Sequence, residues 1–407
     1  MTVAERLIRY CKVWTTSDPE SHTHPSSMRE FDLAKILVEE LKALGIADAH
    51  VDEHCYVYGH LDSNVVKDVP TVGFIAHMDT APDYSGKDVK PRIIENFDGK
   101  DIDLGNGVVM KMDSFPYMRD LKGKTLIVTD GTTLLGADDK AGIAAIMDAL
   151  EYWKDHPEAE HGRIAVAFTP DEEIGEGADL FDLKEFGAAF AYTVDGDSVR
   201  GFSDENFNAG SADVKFTGFA IHPGDAKNKL INAAAAAAKF QSLLPEALTP
   251  EHTEGKEGFI SLRSMSGDVE HAQLSYILRD HDAGKLQKMM DLMAKDAEWI
   301  NAFYGEGTCE ITFAKQYRNM KEILDQHPQV SRIAWEAMND LGLDPYKEPI
   351  RGGTDGATLS YQGLPCPNLG AGGNNFHGRY EYCVVEELET ASKLVRRIAQ
   401  RTVEDSL

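Results

Sequence analysis

The chain has 407 residues, 68 of them Asp or Glu and 41 Lys or Arg, a formal charge of −27 before histidine is counted. At roughly 150 residues per domain this length predicts two or three domains, and 42% apolar with 27% charged residues excludes a largely disordered or fibrous chain. So acidic a surface repels phosphate backbones and anionic membranes, so the expected partners include neither nucleic acid nor a membrane.

The N-terminus, MTVAERLIRYCKVW, carries Glu5, Arg6, Arg9 and Lys12 and reads as an amphipathic helix, since a signal peptide needs an uninterrupted apolar run. Ser27 and Glu30 have the spacing of a capping box, opening a helix with Phe31, Leu33, Leu37, Leu41 and Leu44 on one face and Gly45 at its end. Buried-strand candidates follow: TVGFIA (71–76), TLIVT (125–129), RIAVAFT (163–169) and FAYTV (190–194), with a strong helix from Asp139 to Asp155 between two of them. Apolar strands without alternation, separated by helices, predict an α/β sheet covered on both faces.

Near residue 205 the texture changes. ADVKFTGFA alternates like a half-exposed strand, and NKLINAAAAAAKFQSLL, with its alanine run at 233–238, is helix-forming. GFISLRSMSGDVE and AQLSYILRDHD make a strand pair, AGKLQKMMDLMAKDAEWINAFYG a second long helix and CEITFAKQY a last strand. The order β-α-β-β-α-β is that of a ferredoxin-like unit. After about 317 the helix–strand alternation resumes through VSRIAWEAMNDLG, LPCPNLG and EELETASKLVRRIAQRTV. The expected organisation is an α/β domain, a mixed sheet between helices, built from residues 1–204 and 318–407 and interrupted at 205–317 by a smaller α+β domain.

Cys11, Cys55, Cys309, Cys366 and Cys383 are scattered and contain no C-x-x-C, so neither a disulfide framework nor a thiolate zinc site is expected. That usage suits a reducing compartment, and no run of 18 apolar residues occurs, so the expected location is the cytoplasm.

Four acidic or histidine-bearing clusters come directly or shortly after the predicted strands. HMDTAPD brings His77 and Asp79, GADDKAG Asp138 and Asp139, PDEEIGEG Glu172 and Glu173, and DGD Asp195 and Asp197; a fifth, GAGGNNFHG, offers His377. In open α/β sheets the ligand site lies beyond the carboxyl ends of the strands, so the five are expected to converge. Two histidines and at least three carboxylates around one cavity need compensation. A divalent cation supplies it, and imidazole with carboxylate suits zinc or a similar metal. The carboxylates outnumber what one catalytic zinc takes, whereas two metals sharing a bridging carboxylate use all of them. Adjacent glutamates then divide two tasks, one ligating and the other moving a proton. His22 and His24, in SHTHPSS, read instead as a solvated loop.

HMDTAPD, GADDKAG, TPDEEIG, YTVDG, HPG, RGGTDGA and FHG, in this order, resemble the peptidase T family of tripeptide aminopeptidases. That family sits in the dinuclear-zinc superfamily that also holds carboxypeptidase G2, succinyl-diaminopimelate desuccinylase and aminoacylase, and the resemblance covers nearly the whole chain. It implies a zinc-peptidase catalytic domain with an inserted lid, two Zn²⁺ per subunit with Co²⁺ or Mn²⁺ as substitutes, and a short peptide substrate. By the same resemblance Asp138 bridges both metals, His77 and Asp195 complete one site, and Glu173 and His377 the other. Glu172 corresponds to the general base and Asp79 to the carboxylate that orients His77, and the Asp138–Asp139 peptide bond is expected to be cis. His222 resembles a lid histidine that reaches the scissile carbonyl across a dimer, which implies a homodimer through the lid. Arg279 and Arg351 resemble substrate-binding positions, where a guanidinium fork suits a peptide carboxylate. Asp197 stands where YTVDGG-like sequences have glycine.

The activity so implied is removal of the N-terminal residue from tripeptides. A dipeptidase, a carboxypeptidase or an N-acyl amino acid deacylase would use the same centre, since each breaks an amide bond. A non-catalytic binding protein on this scaffold is disfavoured, because such proteins lose ligands or the base and all seven positions are filled here.

Overall fold

Residues 72–77 are apolar up to His77 because both faces of their strand are covered. In the computed structural model, which describes residues 1–405, Val72–His77 is buried throughout. Successive side chains point to opposite faces. Val72, Phe74 and Ala76 enter a core with the helices Val3–Cys11, Glu30–Ala43, Ala137–Asp155, Pro328–Asp340 and Val385–Asp405. Ile75 enters another with Ala165, Ala167, Phe186 and Leu359. The strand is central in an eight-stranded sheet of order His50–Val51, Val57–Leu61, Ile164–Thr169, Val72–His77, Phe190–Gly196, Asn368–Gly370, Gly201–Ser203, Tyr346–Lys347. The four strands from Ile164–Thr169 to Asn368–Gly370 are mutually parallel, with antiparallel neighbours on both sides. Their carboxyl ends therefore open on one edge, the mixed α/β arrangement expected.

The helix Ala137–Asp155 lies hard against this sheet at a position only glycine can fill. A Cβ on Gly142 would sit 1.9 Å from the Val194 carbonyl oxygen and 2.6 Å from Asp139 Oδ1. Gly142→Ala is expected to destabilise the protein by about 2–3 kcal/mol, since backbone must move to admit the methyl. A lowered midpoint in urea unfolding checks it; an unchanged midpoint would mean that the helix shifts freely.

Three expectations need correction. TLIVT does not join the main sheet: Leu126–Val128 pairs antiparallel with Tyr382–Val384 and Arg92–Ile94 in a separate four-stranded sheet, because its hydrogen-bond partners lie far away in sequence. Ser27 and Glu30 make no capping box; the helix Glu30–Ala43 has no side-chain cap, and the Glu30 carboxylate accepts the Asp171 N–H at 3.2 Å instead. A capping box does form at Thr2 and Glu5. Finally, residues 318–321 and 349–353 fall with the second compact unit (205–321 and 349–353), the first being 1–204, 322–348 and 354–407. The Asn319 amide binds the Asn206 N–H at 3.0 Å, and Ile350 exchanges backbone hydrogen bonds with Glu205 and Phe207, which holds both short segments there.

The second unit is a four-stranded antiparallel sheet of order Phe259–Gly267, His271–Asp280, Asn208–Thr217, Cys309–Lys315. With the helices Ala233–Leu243 and Ala283–Tyr304 it has the ferredoxin-like β-α-β-β-α-β order. Ala212, Val214 and Phe216 are buried against those helices while Asp213, Lys215 and Thr217 are exposed, the alternation read above. Asn232 caps the alanine-rich helix by accepting the Ala235 N–H at 3.0 Å, and Asp282 caps the longer one. All five cysteines are free and buried. Among the described residues no helix is long and apolar enough to cross a membrane.

Candidate metal centre

His77 ends its strand, Glu172 and Glu173 lie just past Thr169, Asp195 is near the end of Phe190–Gly196, and His377 follows Gly370 by seven residues. Parallel pairing thus delivers four clusters to one edge. GADDKAG arrives differently: it opens the helix Ala137–Asp155 that packs on the sheet. The Asp138–Asp139 bond is cis, as the resemblance implied.

These side chains meet. One Asp138 oxygen, Oδ1, lies 2.9 Å from His77 Nε2, and the other, Oδ2, 3.3 Å from His377 Nε2. His77 Nε2 also faces Asp195 at 3.6 Å and Glu172 at 4.0 Å, while His377 Nε2 faces Glu173 at 2.9 Å. Asp79, fully buried, supports the arrangement from below. Its carboxylate lies 3.2 Å from His77 Nδ1 and accepts the Glu172 N–H at 3.0 Å and the Glu173 N–H at 3.1 Å. The cluster is reached through unusual backbone: Asp171, just before Glu172, and His377 itself have φ of 55° and 61°, the left-handed region that side chains other than glycine seldom enter.

The electrostatics are those of crowded negative charge. Burial raises Glu173 to about 8, with Asp138 adding to the effect, and raises Asp195 to about 6 despite His77 beside it. Burial also pushes Glu172 well above the usual carboxylate range, with Asp195, Asp355 and Glu173 contributing. Hydrogen bonds that His377 donates to the Asp138 and Glu173 carboxylates lift its pKa to about 11. Against the upward push of burial, His377 and His77 hold Asp138 below its ordinary value. A cation entering the cluster reverses this logic, favouring ionised carboxylates and neutral imidazoles.

The donor set fits divalent cations. His77, Glu172 and Asp195 offer ligand atoms within 4.8 Å of one another, as do His77, Asp138 and Glu173. Glu173 Oε1 is buried with no hydrogen-bond partner, a costly state for a carboxylate oxygen unless a cation takes it. Imidazole mixed with carboxylate suits zinc and its neighbours in the first transition row.

Of the remaining predicted residues, His222, Arg279 and Arg351 belong to the second unit and Asp197 to the first. His222 is exposed and its Nδ1 accepts the Gly224 N–H at 3.1 Å. Arg279 donates to the carbonyls of Gly210 and Leu278 and lies over the Tyr317 ring. Arg351 donates to the carbonyls of Gly255 and Glu257 and to Thr253 Oγ1, so its guanidinium secures that loop. Asp197 is exposed, and its carbonyl accepts the Gly372 N–H at 2.7 Å.

Sequence reasoning named Asp139 without giving it a role and missed other contributors. Asp139 accepts the His77 N–H at 3.2 Å and the Gly142 N–H at 3.1 Å; Asp355 accepts Thr169 Oγ1 at 2.8 Å. Asp355 sits inside RGGTDGA, so the motif itself was a signal, whereas nothing in the sequence marked Glu30 for the Asp171 N–H or Glu381 for the N–H groups of Leu135, Gly136 and Asp138. His24 is not a solvated-loop residue: its side chain is only 12% exposed, with Nδ1 3.4 Å from Asp171 and Nε2 3.0 Å from the Tyr56 hydroxyl. His22 is exposed.

Fold and cluster together define a hydrolytic class of protein, and comparison with known proteins narrows it. Residues 112–401 match peptidase family M20/M25/M40, and the chain belongs to that family and is a peptidase. It is 50% identical over 402 residues to a peptidase T of Alkaliphilus oremlandii, covering 98% of each chain. It is 51% identical over 396 residues to a peptidase T of Clostridium perfringens, covering 97% of this chain and 98% of the relative. Solved structures share the fold at lower identity. A tripeptidase from Staphylococcus aureus has a TM-score of 0.79 at 24% identity over 99% of this chain and 98% of its own. The aminopeptidase PepT from Bacillus cereus has 0.78 at 23%, covering 98% of both. A Bacillus subtilis protein described as a dinuclear metal-binding peptidase of family M20 has 0.65 at 15%, covering 99% of this chain and 98% of its own.

Proposed function

We propose that this peptidase is a dinuclear-metal aminopeptidase that removes the N-terminal residue from tripeptides. The observation that carries the reading is the Asp138 carboxylate, whose two oxygens face two different imidazoles, His77 at 2.9 Å and His377 at 3.3 Å. Each imidazole has a further carboxylate of its own, Asp195 for His77 and Glu173 for His377. That is two donor sets sharing one bridge. His77, Asp138 and Asp195 would hold one cation and His377, Asp138 and Glu173 the other, with zinc the metal best suited to the donors. Relatives named peptidase T support a peptide substrate, and the tripeptidase that shares the fold supports its length.

When bound, the cations supply Lewis acidity toward the scissile carbonyl and acidify the attacking water. The chain supplies the rest. Glu172 takes the proton from that water and returns it to the leaving amine. Asp79 fixes the orientation of His77 and, through two backbone hydrogen bonds, the turn that presents Glu172 and Glu173.

Free tripeptides, dipeptides and N-acetylated tripeptides assayed side by side with zinc or cobalt test the proposal. The expected result is release of the N-terminal residue from free tripeptides fastest, its loss on acetylation, and its loss on chelation with recovery on adding metal. Cleavage of blocked substrates alone would make the protein a deacylase, and release of the C-terminal residue a carboxypeptidase.

A further inference from the structure

The residue that bridges the two donor sets stands where its own helix does not orient it. Asp138 and Asp139 have non-helical dihedrals at the start of Ala137–Asp155, and the N-cap, Gly136, is left-handed and offers no side chain. The backbone N–H groups of that turn are among those a helix cannot satisfy internally. They find their acceptor across the chain. Glu381, 1% exposed, accepts the Leu135 N–H at 2.7 Å and the Gly136 N–H at 2.9 Å on Oε2, and the Asp138 N–H at 3.1 Å on Oε1.

Glu381 also closes the loop that carries His377. Its backbone N–H donates to the Gly378 carbonyl at 3.1 Å. The next residues, Tyr382–Val384, pair with Gly373–Asn374 across the base of that loop and with Leu126–Val128 on the other side. One carboxylate therefore joins the turn bearing Asp138 to the loop bearing His377, the two segments whose separation sets the second donor set. A carboxylate at a helix N-terminus is favourable in itself. What goes beyond capping is that its third donor is the N–H of Asp138 and that its own chain segment carries the facing histidine.

We infer that Glu381 is a positioning residue of the metal centre, setting the distance between Asp138 and His377 and hence the affinity of the cation they share; this rests on the metal reading above. Glu381→Gln is the discriminating change. The amide oxygen can serve Leu135 and Gly136 or Asp138, and its NH₂ then confronts the N–H on the other side. Glu386→Gln is the control, since the Glu386 carboxylate likewise accepts a backbone N–H, that of Thr125 at 3.0 Å, but faces none of the cluster.

Zn²⁺ and Co²⁺ titrations of metal-free wild type and both variants, with unfolding midpoints, read the outcome. Glu381→Gln is expected to weaken at least one cation site by roughly 10–100-fold, the usual cost of losing an outer partner of a metal site. Its kcat should fall while its unfolding midpoint stays near that of Glu386→Gln, whose cation affinity should match wild type. Wild type binding two cations and Glu381→Gln binding them equally tightly would overturn this inference alone. Wild type binding none would overturn the metal reading and this inference with it. Should Glu381→Gln not fold, amide exchange in wild type decides: added Zn²⁺ should slow exchange at Leu135, Gly136 and Asp138, and unchanged rates there would refute the coupling.

Discussion

Glu172→Ala is expected to fold normally, keep both cations and lose about 10²- to 10⁴-fold in kcat, the contribution of a positioned general base. The neighbouring Glu173→Ala should behave differently, losing a cation as well as activity. The two glutamates share one short turn and both have their N–H groups held by Asp79, so local structure does not separate them. Their side chains do. Glu173 reaches His377 at 2.9 Å and leaves a buried oxygen with no partner, whereas Glu172 comes no closer than 4.0 Å to His77. Metal content by elemental analysis beside steady-state kinetics reads the difference directly. If Glu172→Ala loses a cation, or keeps near-normal turnover, the base is another group.

Asp138→Asn should be more damaging still. The amide keeps one oxygen but places an NH₂ toward the other imidazole, and nitrogen of an amide is a donor that cannot ligate. One of the two donor sets therefore loses its shared member. Activity should fall by more than the roughly 10–100-fold expected for an outer partner, and at least one cation should be lost. The fold should survive, because the Asp138 N–H remains bound to Glu381 and the packing of Ala137–Asp155 against the sheet does not involve the carboxylate. Isothermal titration with Zn²⁺ on the metal-free variant, with circular dichroism for the fold, checks both halves. Two sites of wild-type affinity would show that Asp138 is no bridge.

What could be read in advance followed from local rules. Val72–His77 and Ile164–Thr169 are buried throughout and Phe190–Gly196 over its first five residues, and a strand covered on both faces cannot alternate, so the pattern alone revealed a sheet covered on both faces. From that followed the single edge on which His77, Glu172, Glu173 and Asp195 meet. The alternation in Asn208–Thr217 marked the second unit for the same reason in reverse. Local spacing misled where a side chain had a stronger partner elsewhere. Ser27 and Glu30 looked like a cap, but Glu30 binds the backbone of Asp171, and Leu126–Val128 joined a sheet whose other strands lie distant in sequence.

By itself the sequence determined which imidazoles and carboxylates stand at the strand ends, because candidate ligands are recognised by residue type and strands by hydrophobic pattern. Only the tertiary structure decided what holds them: Asp79 under the Glu172–Glu173 turn, Asp139 on His77, Glu381 joining Asp138 to the His377 loop. The reason is physical. A buried carboxylate must find donors, and the donors it finds are backbone N–H groups, which every residue but proline carries and no sequence pattern distinguishes.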